Sequence, residues 1–79
     1  MSNTPHELAE EFPDKVEVMS ALKTSDAHFA RLHEEYHEVN RAVHRAETRV
    51  DAISDEAEEG LRRQRMRLKD EIWAIISAA

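Results

Sequence analysis

The 79-residue chain contains one glycine, two prolines and no cysteine. This composition predicts a single small domain and excludes a disulfide framework, thiolate metal ligands, a cysteine nucleophile and a glycine-rich phosphate loop. The 17 acidic residues outnumber the 11 basic ones, and the resulting net charge of −6 opposes binding to nucleic acid and to anionic lipid. Because the sequence has neither a run of about 18 apolar residues nor a signal peptide, we expect a cytoplasmic protein without a membrane segment.

The N-terminal region is acidic and contains two helix-start signals. Thr4 has the side chain of a helix cap, and Pro5 suits the first helical position. Pro13 either interrupts this first helix or begins the next one. Apolar residues follow at helical spacing and predict a short helix over about residues 13–23. They are Phe12, Val16, Met19 and Leu22.

The strongest pattern is an apolar heptad repeat in the middle of the chain. Its members are spaced alternately three and four residues apart, as the a and d positions of a coiled coil are. They are Phe29, Leu32, Tyr36, Val39, Val43, Ala46, Val50 and Ile53. The repeat predicts a long helix over about residues 26–53, which begins after the cap-forming run Thr24-Ser25-Asp26. Since its apolar stripe is narrow, this helix requires a partner helix along its whole length.

A second long helix is predicted over about residues 56–78. Ser54 or Asp55 can cap it, and acidic residues in its first turn suit the positive end of the helix dipole. Gly60 is unfavourable inside a helix, so the turn before this helix extends as far as Gly60 in the alternative interpretation. The seam of this helix consists of Leu61, Arg65, Leu68, Ile72, Ile75 and Ala79, and a second apolar strip consists of Met66 and Trp73, with Ile76 between the two.

These elements predict an all-α fold, an antiparallel helical hairpin preceded by a short helix, because a short turn makes consecutive helices antiparallel neighbours. One hairpin buries only one stripe of each helix. We therefore expect a homodimer in which two hairpins form a four-helix bundle. The expected self-association interface comprises Phe29, Leu32, Tyr36, Val39, Val43, Val50, Ile53, Leu61, Met66, Leu68, Ile72, Trp73, Ile75 and Ile76. The alternative is a monomer whose N-terminal helix folds back over the hairpin.

His33-Glu34-Glu35-Tyr36-His37 matches the helical zinc motif H-E-x-x-H. A catalytic zinc requires a third protein ligand and an enclosed site, for which a small helical bundle offers no cleft. We therefore reject a metalloprotease, expect no cofactor and interpret both histidines as solvent-facing, although they remain the only metal candidates. Together with His28 and His44 they form a histidine row, and a metal-responsive or pH-responsive module is one alternative function.

A basic run over residues 62–69 contains four arginines and one lysine. Such a stripe can contact phosphates, so a nucleic-acid-binding hairpin is a further alternative function. However, Glu58 and Glu59 precede Arg62 and Arg63 by four residues, which is the favoured orientation for ion pairs within a helix. No aromatic side chain interleaves with the run as a stacking platform. We expect the run to pair with acidic residues of the long helix and the N-terminus rather than with nucleic acid.

Several short motifs in this chain match a known family pattern. They are Leu22-Lys23, His28-Phe29, Ser54-Asp55 and the run from Leu61 to Ile72, whose ending Leu68-Lys69-Asp70-Glu71-Ile72 is the most specific part. These motifs resemble those of the YdcH-like small bacterial proteins, a family of unknown function. The resemblance covers about residues 12–76, with Arg62-Arg63 in place of a lysine pair and Met66 in place of leucine. It implies helical hairpins that associate into bundles, and it implies no activity, cofactor or site residue.

Lys69 lies at the edge of the apolar strips of the last helix. Its position predicts that the stem lies across apolar surface while the ammonium group reaches a carboxylate. Charges that flank a seam select partner and orientation, so we expect Lys69→Glu to shift the association state. The sequence thus favours a non-enzymatic small helical interaction protein that self-associates through its heptad seams and can bind another helical protein.

Overall fold

The computed structural model describes residues 5–50 and 52–79, and in these residues it contains helices and no strands. The helices are α1 (Leu8–Glu11), α2 (Val16–Ser25), α3 (Ala27–Glu47) and α4 (Asp55–Ile76), with a 3₁₀ turn over Pro13–Lys15 before α2. The predicted all-α class is confirmed, and α3 and α4 pack against each other as the expected hairpin. No helix in the described part of the chain has enough apolar residues in succession to cross a membrane.

Both long helices begin at predicted caps. The Asp26 carboxylate accepts hydrogen bonds from the backbone N–H groups of His28 and Phe29, at 3.0 and 3.1 Å. The Ser54 hydroxyl accepts from the backbone N–H of Ala57 at 3.1 Å. These bonds satisfy N–H groups that have no acceptor within the helix, so local sequence alone defines both helix starts.

The helical turn before Pro13, α1, begins later than the start signals at Thr4 and Pro5 indicate. Pro5 lies in a turn before α1 rather than in its first turn, and His6 has a φ of 63°, which excludes a continuous helix from Pro5 into α1. The predicted cap Thr4 lies outside the described residues. Pro13 begins the 3₁₀ turn that leads into α2, so the short helix predicted over 13–23 is divided into that turn and α2.

The C-terminal limit predicted for the long helix, Ile53, is wrong, because α3 ends at Glu47. Arg49 has the left-handed φ of 65°, and the backbone N–H groups of Arg49 and Val50 donate to the carbonyls of Ala46 and Arg45, respectively. This Schellman arrangement satisfies the last carbonyls and stops the helix although the apolar repeat continues. Consequently Val50 is 70% exposed and Ile53 is 40% exposed.

The turn between α3 and α4 ends before Asp55, earlier than in the alternative interpretation, which extended it to Gly60. Since α4 begins at Asp55, Gly60 lies inside the helix, and the extension of the turn to Gly60 is wrong. The start of α4 is already stabilised by the Ser54 cap and by the acidic residues of its first turn. Because these interactions stabilise the helix start, the helix continues through Gly60 despite the low helix propensity of glycine.

The core lies between α3 and α4 and is covered by the N-terminal segment. Its buried members are Leu8, Met19, Phe29, Leu32, Tyr36, Val39, Val43, Leu68, Ile72 and Ile76. Because Leu8 is only 1% exposed, α1 is part of this core. Within one chain, the N-terminal helices thus pack over the hairpin, the arrangement that the sequence left as the alternative to a dimeric bundle.

Candidate interaction surface

Two buried side chains of α3 hold the N-terminal segment on the hairpin. The Tyr36 hydroxyl donates to the carbonyl of His6 at 2.6 Å, and Asn40 Nδ2 donates to the carbonyl of Pro5 at 2.8 Å. Burial raises the pKa of Tyr36 to about 12, so its hydroxyl remains a donor near neutral pH. Both bonds are made to backbone atoms and fix the path of the chain into α1.

Asn40 has no role in the sequence-based prediction, yet it connects three elements. Its Oδ1 accepts a hydrogen bond from Arg65 Nη1 at 2.9 Å, while its amide nitrogen contacts the N-terminal segment. One feature of the sequence indicates this contact, because Arg65 of α4 occupies a position of the apolar seam. A cation there requires a polar partner across the hairpin, and Asn40, which is 1% exposed, supplies it.

The basic run makes ion pairs within the chain. Arg62 pairs with Glu58 in its own helix, as predicted, and with Glu47 of α3 at 2.9 Å. The carboxylate partners, mainly the hydrogen bond to Glu47, raise the pKa of the Arg62 guanidinium. The second predicted pair, Glu59 with Arg63, does not form among the described residues.

Lys69 adopts the predicted arrangement. Its Nζ lies 2.7 Å from Glu11 Oε1 and 5.9 Å from the centroid of the Phe12 ring. The hydrogen bond from Lys69 lowers the pKa of the Glu11 carboxyl. The carboxylate that Lys69 reaches therefore belongs to its own chain, and its effect on association stays a prediction.

These contacts divide the basic run into separate parts. Arg62, Arg65 and Lys69 contact Glu47, Asn40 and Glu11, as described above. Arg63 and Arg67 have no ion-pair or hydrogen-bond partner in the described part of the chain. Two unpaired cations do not form a continuous phosphate-binding stripe, so the geometry gives the nucleic-acid alternative no specific support.

The two histidines of the H-E-x-x-H motif lie half-buried, not fully in solvent as predicted. Their ring centroids are 4.6 Å apart, and His37 Nδ1 lies 2.9 Å from Glu7 Oε2. Burial, assisted by the neighbouring charges of His37 and Lys23, lowers the pKa of His33 to about 4. Among the described residues, no three histidine, aspartate or glutamate side chains converge to hold a metal ion.

Most residues of the expected self-association interface are enclosed within one chain. Those buried in the core are Phe29, Leu32, Tyr36, Val39, Val43, Leu68, Ile72 and Ile76, whereas Leu61 and Ile75 are partly buried against it. Val50 and Ile53 are exposed near the turn, and Met66 and Trp73 are 60% and 46% exposed on α4. A contact between intact hairpins therefore has Met66 and Trp73 available on a helix, and the homodimer itself stays a prediction.

Met66 and Trp73 lie on one side of α4, with Phe12 beside Trp73, and we term these three side chains the α4 strip. The rings of Phe12 and Trp73 are stacked, with centroids 5.3 Å apart and planes at 19°. A shallow cavity of about 310 Å³ opens between Phe12, Trp73, Lys69 and Asp70. Exposed neighbouring apolar side chains with charged groups at their edges are typical of protein–protein contact sites.

The fold and this surface define a small helical-hairpin protein with its N-terminal segment packed across the hairpin. The chain belongs to the family described as Protein of unknown function (DUF465), whose model matches residues 29–76, that is, all of α4 and all of α3 except its first two residues. The resemblance to YdcH-like proteins is consistent with this family. No curated protein and no solved structure matches the chain.

Proposed function

We propose that this protein is a non-enzymatic interaction protein that binds a partner helix through the α4 strip. The observation that carries the proposal is the exposure of Trp73 and Met66 on a helix whose other large apolar residues face the core. Tryptophan and methionine are enriched at protein–protein interfaces, where they supply much apolar contact area. Their spacing of seven residues places them on one side of α4, as anchors of a helix pair require.

The surroundings of the strip support a binding role. The stacking of Phe12 on Trp73 and the ion pair of Lys69 with Glu11 hold the N-terminal segment beside the strip. A preorganised surface loses little side-chain entropy on binding. The cavity beside Trp73 is shallow, and the residues that line it include no pair of carboxylates and no nucleophile with a base. This lining favours a contact surface over a catalytic site.

Site-specific photo-crosslinking in cells tests the proposal. A photoreactive amino acid at position 66 lies on the strip, whereas the same amino acid at position 67 lies about 100° away on α4 and serves as the matched control. We expect a discrete crosslinked product from position 66, identified by mass spectrometry, and at least about tenfold less from position 67. Equal yields at both positions, or no discrete product from position 66, would contradict a docking role for the strip.

A further inference from the structure

We infer that the partner bound by the α4 strip is a second copy of this chain, with its α4 antiparallel to the first. This inference rests on the proposed docking role of the strip. Arg63 and Asp70 lie seven residues apart, within about 20° of each other around the helix axis, and thus on the same flank of Met66. One flank of the strip therefore carries a cation at one end and an anion at the other.

A two-fold axis through an antiparallel helix pair brings identical flanks together and reverses their direction. Arg63 then faces the partner's Asp70, and Asp70 faces the partner's Arg63, so that one register forms two reciprocal ion pairs. Met66 of each copy lies at the centre of this contact. The register is centred between residues 66 and 67, about one residue from the middle of α4 (Asp55–Ile76). The two helices therefore overlap along nearly all of their length of about 33 Å.

The parallel arrangement does not form these reciprocal ion pairs. In a parallel pair the two-fold axis runs along the helices and places this flank against the opposite flank of the second copy, so Arg63 cannot reach the partner's Asp70. Neither residue has an ion-pair partner in its own chain among the described residues, so both remain available to a second copy. On the opposite flank, Lys69 is already neutralised by Glu11. Charge complementarity thus selects the antiparallel pair.

Charge exchange in the full-length protein tests the register. We expect sedimentation equilibrium at low ionic strength to give twice the 9.1 kDa chain mass at high concentration. Arg63→Asp alone and Asp70→Arg alone should each raise the dimer dissociation constant about tenfold, because two symmetry-related attractions become repulsions. The double variant R63D/D70R should regain the parental dissociation constant, and an equimolar mixture of the two single variants should form the heterodimer.

The control variant is Arg67→Asp, which makes the same charge change on α4 further from the strip. It should leave the dissociation constant within about twofold of the parent. Emission from Trp73, the only tryptophan, should shift to shorter wavelength on dimerisation and provides a second measure of binding. Helical circular dichroism identifies any variant that fails to fold. The mixture of single variants and the double variant then decide the register independently.

The contrary outcomes separate this inference from the proposed function. A parent that stays at 9.1 kDa at every concentration, while position 66 crosslinks to another protein, overturns the second copy as partner and leaves the docking role intact. A dimer that the double variant does not restore overturns the antiparallel register. A parent without any crosslink at position 66 overturns the docking role of the strip itself.

Discussion

At the residue scale, Tyr36 and Asn40 fix the path of the N-terminal segment through bonds to its backbone. The backbone carbonyls of His6 and Pro5 accept these bonds, so the side chains of these two residues take no part in them. A heptad pattern marks Tyr36 as an apolar seam residue and contains no information about its hydroxyl. The interaction could not be predicted because its partners lie 30 and 35 residues apart in the chain.

Replacing Tyr36 with phenylalanine tests the first of these bonds. The ring stays in the core, but the carbonyl of His6 loses its donor at a partly buried position. We expect the free energy of unfolding, measured by urea denaturation, to fall by about 1 kcal/mol. Cleavage near residue 6 during limited proteolysis should increase in parallel. Unchanged stability and unchanged cleavage would show that this bond does not hold the segment.

The lowered pKa of His33 predicts that the stability of the fold depends on pH, with a definite sign. Its pKa is about 4 in the folded chain and about 6.5 in an unfolded one. Between these values the unfolded chain binds a proton that the folded chain does not, so stability decreases as the pH falls from about 6.5 to 4. We expect His33→Gln to reduce this decrease, measured as the melting temperature across that range. The exposed His28→Gln is the matched control, and an equal reduction there would contradict the role of His33.

At the element scale, the ends of the helices depend on different kinds of residue. Asp26 and Ser54 cap the starts of α3 and α4, and both residue types are common helix caps that can be recognised from the local sequence. The end of α3 has arginine, not glycine, in a left-handed conformation that is unfavourable for side chains with a Cβ. Because no glycine marks this stop, the apolar repeat predicts six residues too many.

Gly60 lies inside α4, and an added methyl group there would meet no atom within 4 Å. Its φ is not left-handed, so the position does not need a glycine. We expect Gly60→Ala to raise the free energy of unfolding by about 1 kcal/mol through reduced backbone freedom of the unfolded chain and higher helix propensity. Thermal or urea unfolding measures the change. Ala74→Gly, also exposed on α4, should lower stability by a similar amount.

At the scale of the whole molecule, the N-terminal segment covers part of the apolar surface that the sequence-based prediction expected a second hairpin to cover. Leu8 enters the core and Phe12 covers one side of Trp73. These contacts help a single chain to enclose the heptad seam of α3 as far as Ala46. They leave Met66 and the other side of Trp73 exposed on α4, where a second hairpin can contact them.

Lys69→Glu tests how this segment is held. The substitution brings a second carboxylate beside Glu11 in place of the 2.7 Å ion pair, so we expect a loss of about 1 kcal/mol in stability and release of α1. Released Leu8 and Phe12 would expose additional apolar surface, so the average mass in sedimentation should rise. The exchange Glu11→Lys with Lys69→Glu should restore the parental behaviour. An unchanged proteolysis pattern and mass in the single variant would contradict the importance of this ion pair.

The sequence by itself determined those features that depend on neighbouring residues or on periodicity. They are the all-α class, the starts of α3 and α4, the heptad seam as far as Ala46, and the pair of Glu58 with Arg62. The placement of Lys69 across apolar surface was also predicted, although its carboxylate partner was not. The sequence pattern behind each prediction lies within one helix or at its start, where helix geometry relates spacing directly to position.

Only the tertiary structure decided which surfaces are enclosed and which remain exposed. The stop of α3 at Glu47, the contact of Asn40 with Arg65 and the packing of α1 over the hairpin all determine this outcome. The contacts of Asn40 and α1 join residues far apart in the chain. Local spacing cannot predict them, because an apolar stripe is buried equally well by a distant segment of the same chain or by a second chain.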